Sequence, residues 1–224
     1  MKRLADYKSD DFGGGRITEL SPYKGDTYLL ELESGQRFYL NCAIVADYDL
    51  HEGGEMDVEL LEKLQHADKM RKAKKRALYL LGSRMYCYNE LYKKLLPTYG
   101  EEASRAAADA MREYGYIDDE DYAGKLAERF IRGKHYGLSK ARWEMQRRGL
   151  DRNLVEDVLA EYTEDDIDEE IMHLLETRYI EKVSDPDDRR RTAAALARRG
   201  YGYDEVKRCI GRLQRELEDG SEDN

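Results

Sequence analysis

The side chains most able to do chemistry in this chain are cations. Lys69-Met70-Arg71-Lys72-Ala73-Lys74-Lys75-Arg76 places six of them in eight residues. Two later runs, Arg147-Arg148-Gly149-Leu150 and Arg198-Arg199-Gly200-Tyr201, are nearly the same text 51 residues apart. Arg129, Arg132, Lys134, Lys140 and Arg142 precede the first run, and Arg189, Arg190 and Arg191 precede the second. Cations at equivalent points along a chain suit an extended anion, either a phosphate backbone or an acidic protein surface. Each one taken singly is more often a solvated helix face. The candidate binding set is Lys74, Lys75, Arg76, Arg129, Arg132, Lys134, Lys140, Arg142, Arg147, Arg148, Arg198 and Arg199.

No catalytic constellation accompanies them. His51, His66, His135 and His173 fall in four different elements, and none has a partner at metal-ligand spacing. They read as structural or surface residues. Gly13-Gly14-Gly15-Arg16 lacks the lysine and hydroxyl of a phosphate-binding loop and reads as a flexible spacer. Asp118-Asp119-Glu120-Asp121 could hold a cation, but its ordinary role is to cap a helix and complement its positive end. Cys42, Cys87 and Cys209 are scattered without a CxxC and read as reduced, partly buried thiols. Tyrosine occurs 18 times against three Phe and one Trp. Stacking on bases is one use for it; packing helices with a wet hydroxyl is the commoner one. The expectation is a protein without enzymatic activity, cofactor or metal.

Charged residues make up 38% of the chain, well above the roughly 25% usual in globular proteins. The net charge of −10 argues against nucleic acid until its distribution is seen. Residues 1–66 carry a net −7, residues 67–118 a net +4, residues 119–162 zero, and residues 163–224 a net −7. A relatively basic middle lies between two acidic ends, and local fields govern docking. Met1 to Asp10 is polar, so no signal peptide is expected, and no apolar run approaches a membrane span. The expected location is the cytoplasm.

The elements that must position these cations follow a rhythm. Gly100, Gly149 and Gly200 are spaced 49 and 51 apart. Six residues beyond each stand Ala106, Val155 and Val206; ten beyond stand Ala110, Leu159 and Ile210, small or apolar residues on one helical face. A period of this size marks a repeat protein whose units bury their apolar stripes against one another. The fold class is therefore mainly α, with tandem three-helix repeats in an elongated array behind a small β-rich segment. The division is a polar tail over 1–14, a β-rich domain over 15–66, repeats over 67–118, 119–162 and 163–218, and an acidic tail over 219–224. Strands are expected at Arg16–Leu20, Thr27–Glu33 and Gln36–Leu40, the last two as a hairpin. A short helix follows on Asn41, and Asp57 caps a helix through Leu64 into Lys69–Arg76. The repeat helices are expected at 67–81, 88–96 and 101–114, then 119–132, 138–148 and 151–162, then 164–181, 186–199 and 203–218. Asn89, Asp118, Ser139, Asp151, Thr163, Asp185 and Asp204 are the start signals. Gly82, Gly100, Gly115, Gly133, Gly149 and Gly200 are the left-handed stops.

Gly115-Tyr116-Ile117-Asp118-Asp119-Glu120-Asp121-Tyr122-Ala123 resembles the RecX family, bacterial regulators of the RecA recombinase. Arg129–Arg132, Gly137-Leu138-Ser139-Lys140 and Arg147-Arg148-Gly149-Leu150 resemble the same middle repeat. Ala77-Leu78-Tyr79-Leu80-Leu81 with Ser83-Arg84 resembles the first. The β-rich segment with Gly53-Gly54-Glu55-Met56 looks like an N-terminal region some members carry. The resemblance covers about residues 65–215. It implies three-helix repeats lying in the groove of the RecA–DNA filament, inhibition of ATP hydrolysis and strand exchange, and no enzymatic activity. With that partner the cation set above is expected to contact RecA and the RecA–DNA filament, the middle repeat contributing most; some members also bind single- or double-stranded DNA directly. The chain is expected to be monomeric, with no membrane partner. Thr98-Tyr99-Gly100 stands where an Arg-Arg-Gly would be, so the first repeat carries its cations elsewhere. A helical-repeat protein that binds DNA independently of RecA is the alternative.

Overall fold

A computed structural model of the chain describes residues 4, 7 and 12–222, with side chains through Asp219. The ends of the expected polar and acidic tails lie outside these described residues. The chain forms two compact units: Met1–Ser83 with Tyr92–Met111, and Arg84–Leu91 with Arg112–Asn224.

The first unit begins with a four-stranded antiparallel sheet of order β3-β2-β1-β4. Its strands are β1 (Gly15–Lys24), β2 (Thr27–Leu32), β3 (Arg37–Asn41) and β4 (Glu55–Met56). Alternation sends Leu30 and Leu32, and Phe38 and Leu40, to one buried face. The registers Ile17↔Leu32 and Leu30↔Phe38 line these residues up across the ladder. The expected hairpin is present, with Gly35 at φ 77° in its turn. The helix α1 (Cys42–Asp47) opens on Asn41, whose side chain accepts from the Ala43 amide. The helix α2 (Val58–Leu81) opens on Asp57, which accepts from Leu60 N at 2.7 Å. Ile44, Met56, Leu61 and Leu64 complete this core.

Three readings change here. Residues in the expected polar tail are anchored, because Leu4 and Phe12 supply apolar surface that a small sheet needs. Both are buried, Phe12 lies edge-on to Phe38, and Gln65 Nε2 donates to the Leu4 and Tyr7 carbonyls at 2.9 and 2.8 Å. The glycines 14 and 15 are no spacer: Gly15 pairs with Met56 in the β1–β4 ladder, and a Cβ on Gly14 would stand 3.0 Å from the Met56 carbonyl. A short strand, β4 (Glu55–Met56), forms where no strand was expected, just after Gly53-Gly54. Moreover α2 runs unbroken through residue 66, and its buried side chains change from leucines to Ala73 and Ala77.

The helix α3 (Tyr88–Glu113) bends at Gly100 (φ 72°, ψ 177°), at the expected stop. Its second half buries Ala103, Ala107, Ala108, Ala110 and Met111. His66 Nε2 of α2 lies 3.6 Å from Glu102 of this half.

The second unit holds α4 (Asp119–Ile131), α5 (Leu138–Arg147) and α6 (Arg152–Leu159), each packed on the other two. After them come α7 (Glu164–Leu174), a π-helical turn at Leu175–Tyr179, a 3-10 turn at Ile180–Lys182, α8 (Pro186–Arg198) and α9 (Tyr203–Glu222). The expected single helix over 164–181 is thus irregular in its last two turns, across which Leu174, Leu175 and Val183 stay buried. One apolar core runs from Cys87 to Leu213 and contains Val155, Leu159, Val206 and Ile210 of the glycine-spaced positions. Asp118, Asp151, Thr163 and Asp185 cap as expected, Thr163 in a reciprocal box with Asp166.

Asn89, Ser139 and Asp204 are not caps, and in each case another group satisfies the helix start. Tyr88 N donates to Asp119 Oδ1, α5 opens on Gly137 with no side-chain cap, and Gly202 N donates to Glu205 Oε2. Gly82 closes α2 in the right-handed conformation, and Gly133 is not left-handed either; His135 (φ 52°) makes that turn.

Candidate functional site

The Arg-Arg-Gly runs have a packing reason of their own. The Arg148 carbonyl accepts from the Cys87 thiol at 3.3 Å, and Asn89 Nδ2 donates to the Gly149 carbonyl at 2.9 Å, so this helix end seats on the start of α3. Fifty residues on, the same seat recurs at the start of α5. Gly137 N donates to the Arg199 carbonyl at 2.9 Å, and Ser139 N to the Gly200 carbonyl at 3.4 Å. Gly149 (φ 100°) and Gly200 (φ 95°) provide the left-handed turn and the close approach.

Next to the first seat the cations converge. Arg84, Lys125, Arg129 and Arg148 line one cavity of about 200 Å³ with Tyr122, Met85 and Leu126. The helix α4 places Tyr122, Lys125, Leu126 and Arg129 on one face by i, i+3, i+4 and i+7 spacing. Arg84 is held in a bidentate pair on Glu90 at 2.9 and 3.1 Å, and its guanidinium lies 3.6 Å from the Tyr86 ring centroid. The Tyr122 hydroxyl donates to Glu90 Oε2 at 3.3 Å and accepts from Arg148 at 3.0 Å. Burial and the neighbouring Glu90 raise the pKa of this phenol, so it stays a hydroxyl. Lys125 pairs with Asp121 at 2.7 Å. Arg129 has no hydrogen-bond or ion-pair partner among the described residues.

A second group gathers around Tyr136. Lys140 lies 4.3 Å and Lys134 5.6 Å from its ring centroid, while Arg199 donates to the Lys134 and His135 carbonyls. Such cation–π contacts orient a cation without neutralising it.

Other expected residues are committed internally. Arg132 reaches Asp166 at 2.5 Å, Glu170 at 3.2 Å and Glu169 at 3.5 Å, tying the end of α4 to α7. His135 Nδ1 lies 2.6 Å from the other Glu170 oxygen, and its ring is 4.7 Å from that of His173. His135 and His173, expected as structural or surface residues, thus meet Glu170 and each other. Thr163 and then Arg132 hold the Asp166 carboxyl below its usual range. Arg142 pairs with Glu156 at 2.7 Å, and Arg147 with Glu144 at 2.7 Å while lying 4.9 Å from the Trp143 ring. Arg198 is exposed. In the first unit Lys74 is half-buried, Lys75 and Arg76 are exposed, and Arg76 lies 4.9 Å from the exposed Tyr79 ring.

Arg84 and Lys125 were missing from the expected set. The signal for Arg84 is present in the repeat: Arg84 and Tyr86 stand 50 residues before Lys134 and Tyr136. Among the described residues no group of three or more His, Cys, Asp or Glu is placed to hold a metal ion, and no helix is long and apolar enough to cross a membrane.

Family models for the second and third three-helix domains of RecX match residues 118–159 and 164–210. The regulatory protein RecX of Trichlorobacter lovleyi is 34% identical over 140 residues, spanning 60% of this chain and 90% of that protein. That of Clostridioides difficile is 22% identical over 204 residues, spanning 89% and 96%. A crystal structure of regulatory protein RecX superposes with a TM-score of 0.69 at 20% identity, covering 86% of this chain and 97% of the other. RecX from Lactobacillus salivarius superposes at 0.61 with 22% identity, covering 66% and 98%. With its three-helix domains, its small leading sheet and a relative of this closeness, the chain belongs to the RecX family of regulatory proteins.

Proposed function

We propose that this chain is an inhibitory modulator of the RecA recombinase that acts by binding, without an enzymatic step. In this reading it lies as a monomer in the groove of the RecA–DNA filament and limits ATP hydrolysis, strand exchange and filament growth. Residues 67–118 form the first of three repeats, and cations from successive repeats contact the filament together. The observation that carries the reading is the convergence of Arg84, Lys125, Arg129 and Arg148 on one cavity of a RecX-family chain. Lys134 and Lys140 around Tyr136 add a second point of contact that Arg147 and Arg198 extend, and Lys74, Lys75 and Arg76 of the first unit bind in their own right. Exposed pairs are individually weak, and several engaged at once sum to useful affinity. The test is RecA ATPase on single-stranded DNA with added protein. Hydrolysis falls as the protein approaches the concentration of RecA; unchanged hydrolysis at equal concentration sinks the reading.

The second reading, direct DNA binding independent of RecA, draws on aromatic rings exposed beside cations. Trp143 is 57% and Tyr79 68% exposed, next to Arg147 and Arg76. Rings so placed stack on bases. In a gel-shift series this reading requires binding without RecA that weakens steeply as salt rises.

A further inference from the structure

The two helix-end seats repeat one arrangement with several changes of charge, among them Lys125 where the later seat has Glu170. Helix α4 opens on Asp118 and α7 on Thr163. Counted from these caps, Tyr122 answers to Ile167, Leu126 to Ile171 and Phe130 to Leu175, all buried. Lys125 answers to Glu170, each seven residues into its helix, and Met85 answers to His135 at the 50-residue spacing. At the later seat the Glu170 carboxylate, only 9% exposed, takes His135 Nδ1 at 2.6 Å and Arg132 at 3.2 Å. A carboxylate from the chain itself fills that place.

At the earlier seat α4 places no carboxylate at the position of Glu170; its Asp119 accepts from Tyr88 N instead. Lys125 stands where Glu170 would, and it pairs with Asp121. Glu90 is engaged by Arg84 in a bidentate pair and by Tyr122. Arg148 has only the neutral Tyr122 hydroxyl as a side-chain acceptor, and Arg129 has none among the described residues. Two guanidiniums therefore border the cavity without an anion. We infer that this cavity receives one carboxylate side chain from an acidic segment of a partner protein, held by Arg129 and Arg148. Guanidinium and carboxylate match as planar forks, and the pair strengthens where water is thinned by an apolar wall. Met85 and Leu126 form that wall. It suits the stem of Glu or an apolar neighbour in sequence, and it offers nothing to a hydrated phosphodiester. The inference deepens the reading above and rests on it only for the partner's identity.

The test is side-chain NMR of the arginine Nε–Hε groups in the full chain, titrated with acetyl-Leu-Glu-amide and, in parallel, with dimethyl phosphate. The peptide moves the Arg129 and Arg148 signals with at least several-fold higher affinity than the phosphate diester. Lys125→Glu, which supplies the carboxylate internally as Glu170 does, abolishes the response. Arg129→Gln, at an exposed position, weakens the Arg148 response about tenfold, which keeps the test valid if Lys125→Glu fails to fold. Silence of both arginines up to tens of millimolar peptide, or an equal or stronger response to dimethyl phosphate, overturns the proposal. A chain that responds to the peptide but leaves RecA ATPase unchanged keeps the carboxylate site and removes the RecA reading, so the two failures are separable.

Discussion

Gly137 and Gly200 meet backbone against backbone. A Cβ on Gly137 would stand 2.3 Å from the Gly200 carbonyl carbon, and one on Gly200 would stand 2.5 Å from Lys140 N. At the earlier seat the contact is looser: a Cβ on Gly149 would meet the Asn89 Cβ at 3.1 Å. The two glycines share a left-handed backbone but differ in the space around it. Gly149→Ala then carries mainly the conformational cost, about 1–2 kcal/mol. Gly200→Ala adds a clash with backbone that cannot turn aside, for about 3–5 kcal/mol in all. Urea unfolding of the two variants checks the order; equal losses would contradict the geometry.

Arg132 and Arg129 are three residues apart and differ in their commitments. Replacing Arg132 by Met leaves Glu170 buried with one partner fewer, a loss of about 1–3 kcal/mol. Replacing Arg129 by Met breaks no internal pair and leaves the thermal midpoint unchanged. A calorimetric comparison of the two variants decides it.

In function the order of those two residues inverts. Under the proposed RecA-inhibiting role, Arg129→Glu lowers inhibition of RecA ATPase about tenfold while the fold is retained, the behaviour of a charge at a contact rather than in a core. Dose–response curves against wild type provide the measure. Full potency in a folded Arg129→Glu protein would remove this residue from the contact.

The thiols separate by burial. Cys42 is exposed, and Cys87 and Cys209 are buried. Burial raises Cys87 to about 11 and Cys209 to about 12. At pH 8 about one Cys87 in a thousand is thiolate, so a thiolate-specific reagent labels one cysteine quickly and two only on unfolding. Because the folded values lie above the unfolded value near 8.5, the related stability is fully present below about pH 8.5. It is lost as pH rises toward 11 and 12. Labelling kinetics and alkaline unfolding curves test the two halves of this prediction.

Acid acts at the α7–α9 contact. Arg208 holds Asp168 in a bidentate pair at 2.8 and 2.9 Å and lowers its pKa below 3.8. The folded value is depressed, so the contribution is present above 3.8 and lost as pH falls through the folded value. Asp168→Asn is therefore less stable than wild type at pH 7, and the gap closes in acid. Urea midpoints at pH 7 and pH 3 provide the comparison.

Much of this fold was legible in local signals. Asp57, Asp118, Asp151, Thr163 and Asp185 start helices through side chains that bond amides two or three residues away, so a short stretch of chain is enough to place them. The helices α3, α5 and α9 begin where expected, but their caps were misread because their amides find partners by other routes. Tyr88 N uses Asp119, 31 residues on, and Gly137 N uses the Arg199 carbonyl. The burial of Leu4 and Phe12 was hidden for a similar reason: a polar stretch gave no sign that two of its residues join the core of the sheet.

The sequence by itself determined the helical period, most helix boundaries, the hairpin and the family, because each rests on residues close together or on an unbroken string. Only the tertiary structure decided which cations are available. Arg132, at the end of α4, is engaged by Asp166 and Glu170, 34 and 38 residues away, while Arg129 three residues earlier meets no carboxylate among the described residues. Arg84 joins Arg148 at one cavity across 64 residues of chain. A charge is neutralised by whatever lies within a few ångströms in space, and spacing along the chain does not fix that distance.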